Sequence, residues 1–348
     1  MNISHIAIAT NNGDIGGGEV MLLSIARQLR SLGYSVTIVG PKTPSEVVEA
    51  ATDEGFDVVA LPAKNRQEYM AQLRLWDRQR RTGLLWCNGL VPSFATGGHK
   101  NRIVHLHQKP EGKLRWLVKL AQKRAAVSLV PSKFLAEKVA KTRVFSNWTE
   151  PINMPLQPRK QASQLTVGFI GRPSTLKGTH LLAEALQQLN ADSQKYCLKI
   201  AGEPKFIAQE DSEHVQKKLD SLRDAVQYLG WVEPAEFFKQ IDVLVVPSTV
   251  QESFGLVAAE AMSARVPLIV SDAGALPEIV GANYPWIFKS GNSEALKNLL
   301  QQIDHEIRED TDLQQQTISQ AYWRWLENYS PQTGKEHLEA LLQELQQK

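Results

Sequence analysis

A chain of 348 residues is about twice the length of one ordinary domain, so two domains are expected. With 43% hydrophobic and 22% charged residues it can bury a core in each, which excludes a mainly disordered polypeptide. Two cysteines, Cys87 and Cys197, exclude a disulfide framework, and no run approaches the roughly 18 apolar residues of a spanning helix. The net charge of +2 conceals an asymmetry: residues 1–160 hold 23 Lys+Arg and 12 Asp+Glu, or +11, and the remainder holds 16 and 25, or −9. Such a split suggests halves that face different partners. Reduced thiols and an apolar start without a basic leader predict a cytoplasmic protein.

In chain order, Ile3–Ala9 has the length and apolarity of a strand, and residues 11–18 are turn chemistry ending in three glycines. From Glu19 the apolar residues fall at helical spacing until Gly33 stops them, and Tyr34–Val39 is a β-branched second strand. Val58–Leu61, Leu84–Cys87, Arg102–His107 and Val127–Val130 read as further strands, with helices near 44–54, 65–81, 112–125 and 132–140 between them. This alternation predicts a parallel sheet covered on both faces. Pro151, Pro155 and Pro158 mark 151–164 as a linker.

The pattern then restarts: strand Leu165–Ile170, loop Gly171–Gly178, helix Thr179–Leu189. Strands follow at Cys197–Ala201, Ala225–Leu229, Val243–Val246 and Leu268–Val270, with helices near 234–240, 254–264 and 292–303. Two closing helices are expected over 311–327 and 333–347. The fold class is therefore α/β, with two doubly wound Rossmann-like domains, here bounded at 1–158 and 159–328, followed by a terminal helix over 329–348.

Three loops carry chemistry. A strand-to-helix turn is a natural phosphate site because unpaired N–H groups and the helix dipole point at the ligand. Gly16-Gly17-Gly18-Glu19 is one such turn, although Met21 breaks a dinucleotide fingerprint and no Gly-Lys-Ser/Thr follows. Taken alone it could equally be a tight turn with no ligand. Gly171-Arg172-Pro173-Ser174-Thr175-Leu176-Lys177-Gly178 is the second, with Arg172 and Lys177 placed to grip a diphosphate. The third, from Pro247 through Met262, follows the buried strand Val243–Val246. Glu252 precedes the next helix, either as a ligand group or as its cap, and Ser253, Phe254, Gly255 and Leu256 would offer N–H groups. Glu260 is a carboxylate on a helix of Leu, Val, Ala and Met, and so needs a cation or ligand hydroxyls as partner.

These motifs resemble the retaining nucleotide-sugar glycosyltransferases of the GT-B fold, family four (glycosyl transferases group 1). Glu252 and Glu260 match its Glu-x(7)-Glu, and Gly171, Arg172, Lys177 and Gly178 match its Gly-Arg-x(4)-Lys-Gly. Tyr228-Leu229-Gly230-Trp231-Val232 resembles its base-binding segment, and Ser271–Val280 its late Gly-x-x-Glu stretch. The family's Gly-Gly-x-Glu is represented by Gly17 and Gly18, with Glu19 one place early. The resemblance implies domains facing across a cleft and a C-terminal helix that crosses back to the first domain, with Trp323, Trp325 and Tyr329 as candidate anchors. It gives Glu260 the ribose hydroxyls, Glu252 the transferred sugar, and Arg172 and Lys177 the diphosphate, in place of a metal. Gly17, Gly18, Gly230, Trp231 and Val232 complete the donor site. His107 would face the sugar from the acceptor side, with His105 sharing its strand face as the alternative. The pair Asp310 and Asp312 reads as solvated surface, so no metal and no cofactor are expected.

The expected reaction moves a sugar from a nucleoside-diphosphate sugar, UDP-linked by preference and GDP-linked as the alternative, to a saccharide or lipid-linked saccharide. The rival readings are a same-fold epimerase or phosphorylase and a non-catalytic nucleotide-sugar-binding protein. The basic amphipathic segment Gly112–Arg124 is either an ordinary surface helix or a weak contact with an anionic membrane surface, which would make the protein peripheral at the inner face of the membrane. Nucleic acid is not expected as a partner, because basic and aromatic residues do not interleave into a known module.

Overall fold

The computed structural model describes residues 3–110, 112, 114–154, 164–193, 195–204, 207–309 and 312–347. The chain divides into two compact units, Met1–Trp148 with Pro331–Lys348, and Thr149–Ser330. The expected boundary at 158, and most of the proline-punctuated stretch around it, lies outside the described residues.

The first unit runs β1 (His5–Ala9), α1 (Gly17–Ser31), β2 (Ser35–Pro41), α2 (Glu46–Asp53), β3 (Asp57–Leu61), α3 (Arg66–Gln79), β4 (Leu84–Asn88), α4 (Leu90–Ala95), β5 (Arg102–His105), α5 (Leu114–Ala121), β6 (Val127–Val130), α6 (Lys133–Lys138) and β7 (Arg143–Val144). The strand order is β3-β2-β1-β4-β5-β6-β7, and every pairing is parallel. Helices cover both faces of such a sheet, so its central strands are apolar throughout rather than alternating. Ile6, Ala7, Ile8 and Ala9 are accordingly all fully buried.

Two differences from the sequence reading have local causes. The short helix α4, unanticipated, is opened by Gly89 at φ 106°, where a β-branched or bulky residue would be strained. Strand β5 stops at His105, so His107 lies beyond its end instead of in it. The first residue of β5, Arg102, is fully buried and pairs with no carboxylate among the described residues. Its guanidinium donates to the carbonyls of Ser93 and His99 around the end of α4 and of Ala121 and Lys123 at the end of α5, where helix dipoles favour a cation.

The second unit runs β8 (Leu165–Ile170), α7 (Thr179–Leu189), β9 (Tyr196–Ala201), α8 (Gln209–Asp220), β10 (Val226–Gly230), α9 (Pro234–Phe238), β11 (Val243–Val246), α10 (Leu256–Ser263), β12 (Leu268–Ser271), α11 (Leu276–Val280), β13 (Ile287–Phe288), α12 (Ser293–Arg308) and α13 (Asp312–Asn328). Its parallel order is β10-β9-β8-β11-β12-β13. Helix α8 was not anticipated, since only Val215 and Leu219 of its twelve residues are buried and its apolar signal is thin.

The last helix, α14 (Pro331–Gln347), belongs to the first unit, where Leu338, Leu341, Leu342 and Leu345 join the core with Trp148. Gly334 permits this contact, because a Cβ there would overlap the Trp148 ring. Trp325 and Tyr329 are buried in the second unit's core, whereas Trp323, expected beside them, is 57% exposed.

Candidate active site

Each sheet is wound in both directions from one place, and ligands of such sheets bind there, outside the carboxyl ends of the strands. In the second unit that place lies between β8 and β11, in the first between β1 and β4. The loops that the sequence singled out leave β8, β11 and β1.

In the second unit the loops are fastened to one another through the backbone. Thr249 and Val250 donate N–H bonds to the Leu176 carbonyl (2.9 and 3.1 Å), and the Thr249 hydroxyl donates to Thr175 (2.8 Å). Gly178 sits at φ 72°, where a Cβ would overlap the Pro247 carbonyl. Glu252 bridges to Gly274 in the manner of parallel strands, and its carbonyl accepts from Ala275 N at 2.8 Å. A Cβ on Gly274 would overlap the Glu252 backbone, and one on Gly202 would overlap the Gly171 carbonyl. Gly202 N donates to Gly230 O at 2.7 Å, which places the Gly230-Trp231-Val232 segment beside Gly171. Trp231 is 74% exposed, an aromatic face available to a planar ligand.

The polar side chains on this frame fall into two groups. Lys177 Nζ pairs with Glu252 Oε1 at 2.6 Å, and the Ser248 hydroxyl donates to the same oxygen at 2.5 Å. Glu252 therefore does not cap the following helix. That helix, α10, begins at Leu256 rather than at 254, behind Gly255 at φ 111°. Phe254 is buried edge-on against Tyr329, and the first intrahelical bonds come from Ala258 and Ala259 N. The N–H groups of Leu256 and Val257 precede those bonds and are open to an acceptor. Arg172 and Glu260 form the second group. Arg172 is exposed, and neither side chain makes a hydrogen bond or ion pair with any described residue. Burial alone pushes the Glu260 carboxyl up to about 7.

In the first unit the glycine turn is held from below. Glu19 is buried and accepts from Thr10 Oγ1 (3.1 Å), Asn12 Nδ2 (3.0 Å) and Gly16 N (3.3 Å), and burial raises its pKa. Counted from Gly16, the segment Gly16-Gly17-Gly18-Glu19 has the Gly-Gly-x-Glu spacing, so Glu19 is in place and not one residue early. Gly17 and Gly18 form the first turn of α1. Sequence reasoning missed Asn88, the last residue of β4, whose amide donates to Gly18 O (3.1 Å) while its oxygen meets His107 Nε2 (2.6 Å). A polar residue ending the buried run Leu84-Leu85-Trp86-Cys87, at a switch point, was the available signal. His107 Nδ1 is buried without a partner among the described residues, and burial lowers the ring's pKa to about 4. In helix α5, Trp116 and Leu120 are 56% and 41% exposed. Asp310 lies outside the described residues, and among those described no three His, Cys, Asp or Glu side chains converge as a metal site.

Two doubly wound parallel units whose ligand groups ride on the switch-point loops define the GT-B class of fold. The solved structure of Anabaena Alr3699/HepE in complex with UDP-glucose superposes with a TM-score of 0.81 at 20% identity, covering 98% of this chain and 99% of that one. Two glycosyltransferase family models together cover most of the chain: that of the glycosyl transferases group 1 matches residues 154–322, and the glycosyl transferase 4-like domain matches 16–148. Among curated relatives, the lipopolysaccharide 1,2-N-acetylglucosaminetransferase of Salmonella typhimurium is 32% identical over 45% of this chain and 41% of its own length. The phosphatidyl-myo-inositol mannosyltransferase of Mycobacterium leprae is 24% identical over 82% of this chain and 83% of its own. In the first three curated relatives the matched stretch spans only 31% to 41% of their length.

Proposed function

We propose that the chain transfers a sugar from a nucleoside-diphosphate sugar, UDP-linked by preference, to a hydroxyl of a saccharide or lipid-linked saccharide, with retention and without a metal. The observation that carries this reading is Glu260, a half-buried carboxyl without a partner among the described residues, on the helix behind the fastened loops. Left alone it is a cost, and ligand hydroxyls would relieve it. A ribose supplies two of them.

The other roles follow from chemistry. Arg172 and Lys177, with the N–H groups of Leu256 and Val257, take the charge that develops on the leaving diphosphate, where fixed donors accelerate most. Glu252, held by Lys177 and Ser248, orients the sugar hydroxyls. Retention follows from front-side attack: the acceptor oxygen bonds to the anomeric carbon as the bond to the diphosphate breaks, and the hydroxyl proton passes to the leaving oxygen. Alr3699/HepE, of the same fold, is named in complex with UDP-glucose, which supports a UDP-sugar. Support for a saccharide acceptor comes from the name of the Salmonella relative.

The first unit, with 23 Lys+Arg and 14 Asp+Glu or a net +9, would receive the acceptor. Its charge and the exposed Trp116 and Leu120 also support weak, salt-dependent contact with an anionic membrane surface. Mass spectrometry of products from a panel of nucleotide-sugars and saccharide acceptors, with and without EDTA, tests the reading. Hydrolysis or epimerisation without acceptor dependence would reject it. Activity abolished by EDTA and restored by magnesium would reject the cationic role of Arg172 and Lys177.

A further inference from the structure

We propose that Asn88 is a positioning residue that holds His107 in its Nε2–H tautomer and ties that ring to the glycine turn of α1. The purpose of the ring rests on the glycosyl-transfer reading, but the geometry does not. The Gly18 carbonyl can only accept, so the Asn88 amide nitrogen faces it at 3.1 Å. The Asn88 oxygen therefore faces His107 Nε2, 2.6 Å away, and that nitrogen must carry the proton. In the neutral ring Nδ1 is then a bare acceptor, and it is buried without a partner.

A second observation points the same way. His105 is fully buried, with its ring centroid 4.2 Å from that of His107. The Trp86 indole can only donate, and it reaches His105 Nδ1 over 3.4 Å, which leaves the His105 proton on Nε2. That nitrogen is also buried without a partner. The two orphaned atoms are thus one donor and one acceptor on touching rings. The hydrogen bonds form two runs, Trp86 to His105 and His107 through Asn88 to Gly18, which meet only in the contact of the two rings; the second run is fixed by the obligate acceptor at Gly18. A Cβ built on Gly18 would lie 3.7 Å from His107 Cδ2, so the ring rests on the turn itself. Asn88 is the joint through which the end of β4 aligns the turn and the histidine.

Nitrogen-15 spectra of the full chain labelled at histidine, with His107 assigned by its loss in His107→Gln, read the tautomer directly. The unsubstituted protein should show His107 protonated at Nε2. Asn88→Ala should lose that preference and lower kcat by about 10–100-fold with the donor KM little changed, as expected of a misplaced group. Asn88→Asp, which keeps an acceptor for His107 but no donor for Gly18, should keep the tautomer and lose part of kcat. A dominant Nδ1–H form in the unsubstituted protein, or an unchanged tautomer and kcat in Asn88→Ala, would overturn the proposal. If Asn88→Ala does not fold, loss of the Nε2–H form in Asn88→Asp overturns it instead. The spectra need no donor: absence of transfer by the unsubstituted chain rejects the functional reading, and the ring signals still decide the positioning.

Discussion

Glu260 and His107 are half-buried residues whose titratable groups cost stability in opposite pH ranges. Folding raises the Glu260 pKa from 4.5 to about 7, so the native state binds more protons than the unfolded state between those values. Stability is then lost as pH rises across that window and stays low above it. Glu260→Gln should therefore stabilise the free protein at pH 8 by about 1–3 kcal/mol and change little at pH 4.5, as urea unfolding at the two pH values would show. If Glu260 accepts from the ribose as proposed, the same variant should bind UDP-glucose more weakly, by about 1–3 kcal/mol in calorimetry. A variant that is no more stable at pH 8 would place a partner on Glu260. For His107 the shift is downward, from 6.5 to about 4, and His105 is lowered as well. Here the unfolded state binds more protons, so stability is complete above pH 6.5 and falls as pH drops toward 4. His107→Gln should flatten that acid loss, and a thermal melt at pH 7 and at pH 4.5 measures it.

At the scale of elements, the site depends on loops that touch through their backbones. Gly178→Ala and Gly274→Ala should each separate a pair of loops, Gly178 from Pro247 and Gly274 from Glu252, since in both cases a Cβ meets backbone that cannot turn aside. Each also forces an alanine to positive φ, so a loss of about 1–3 kcal/mol in stability is expected. Nucleotide affinity should fall with it; intact affinity in either variant would detach these contacts from binding. The sequence made much of this legible. Leu165–Ile170, Thr179–Leu189 and Val243–Val246 were read to the residue, because a buried parallel strand is continuously apolar and an amphipathic helix is periodic. Glu252, Glu260, Arg172 and Lys177 were singled out as candidates because charge on an apolar element or beside a helix start stands out. The pairing of Lys177 with Glu252 was not legible, since 75 residues separate them and only the adjacency of β8 and β11 brings them together. Asn88 was missed for the same reason: its two partners come from α1 and from beyond β5.

The whole molecule is a chain whose end returns to its beginning. The first unit is incomplete without α14, which supplies Leu338, Leu341, Leu342 and Leu345 to a core that also contains Ile6, Ile8 and Trp86. The second unit closes on itself before that point: Thr149 N bonds to Tyr329 O at 3.0 Å, and the Trp325 indole donates to the Thr149 hydroxyl at 2.9 Å. Removing residues 331–348 should therefore act on the first unit and spare the second. Each of the four leucines is almost fully buried, and burying one side chain is worth about 1.5–3 kcal/mol, so together they rival the 5–15 kcal/mol that holds a typical domain. Trp148 would lose the Gly334 surface it lies on and become exposed. Hydrogen exchange on the truncated chain should show the amides of β1, β2 and β4 exchanging freely while those of β8, β9 and β11 remain protected, and UDP affinity should persist while transfer is lost. Undiminished protection of β1 after truncation would mean that α14 covers a finished core. Equal loss in both sheets would mean that the second unit does not stand without the first.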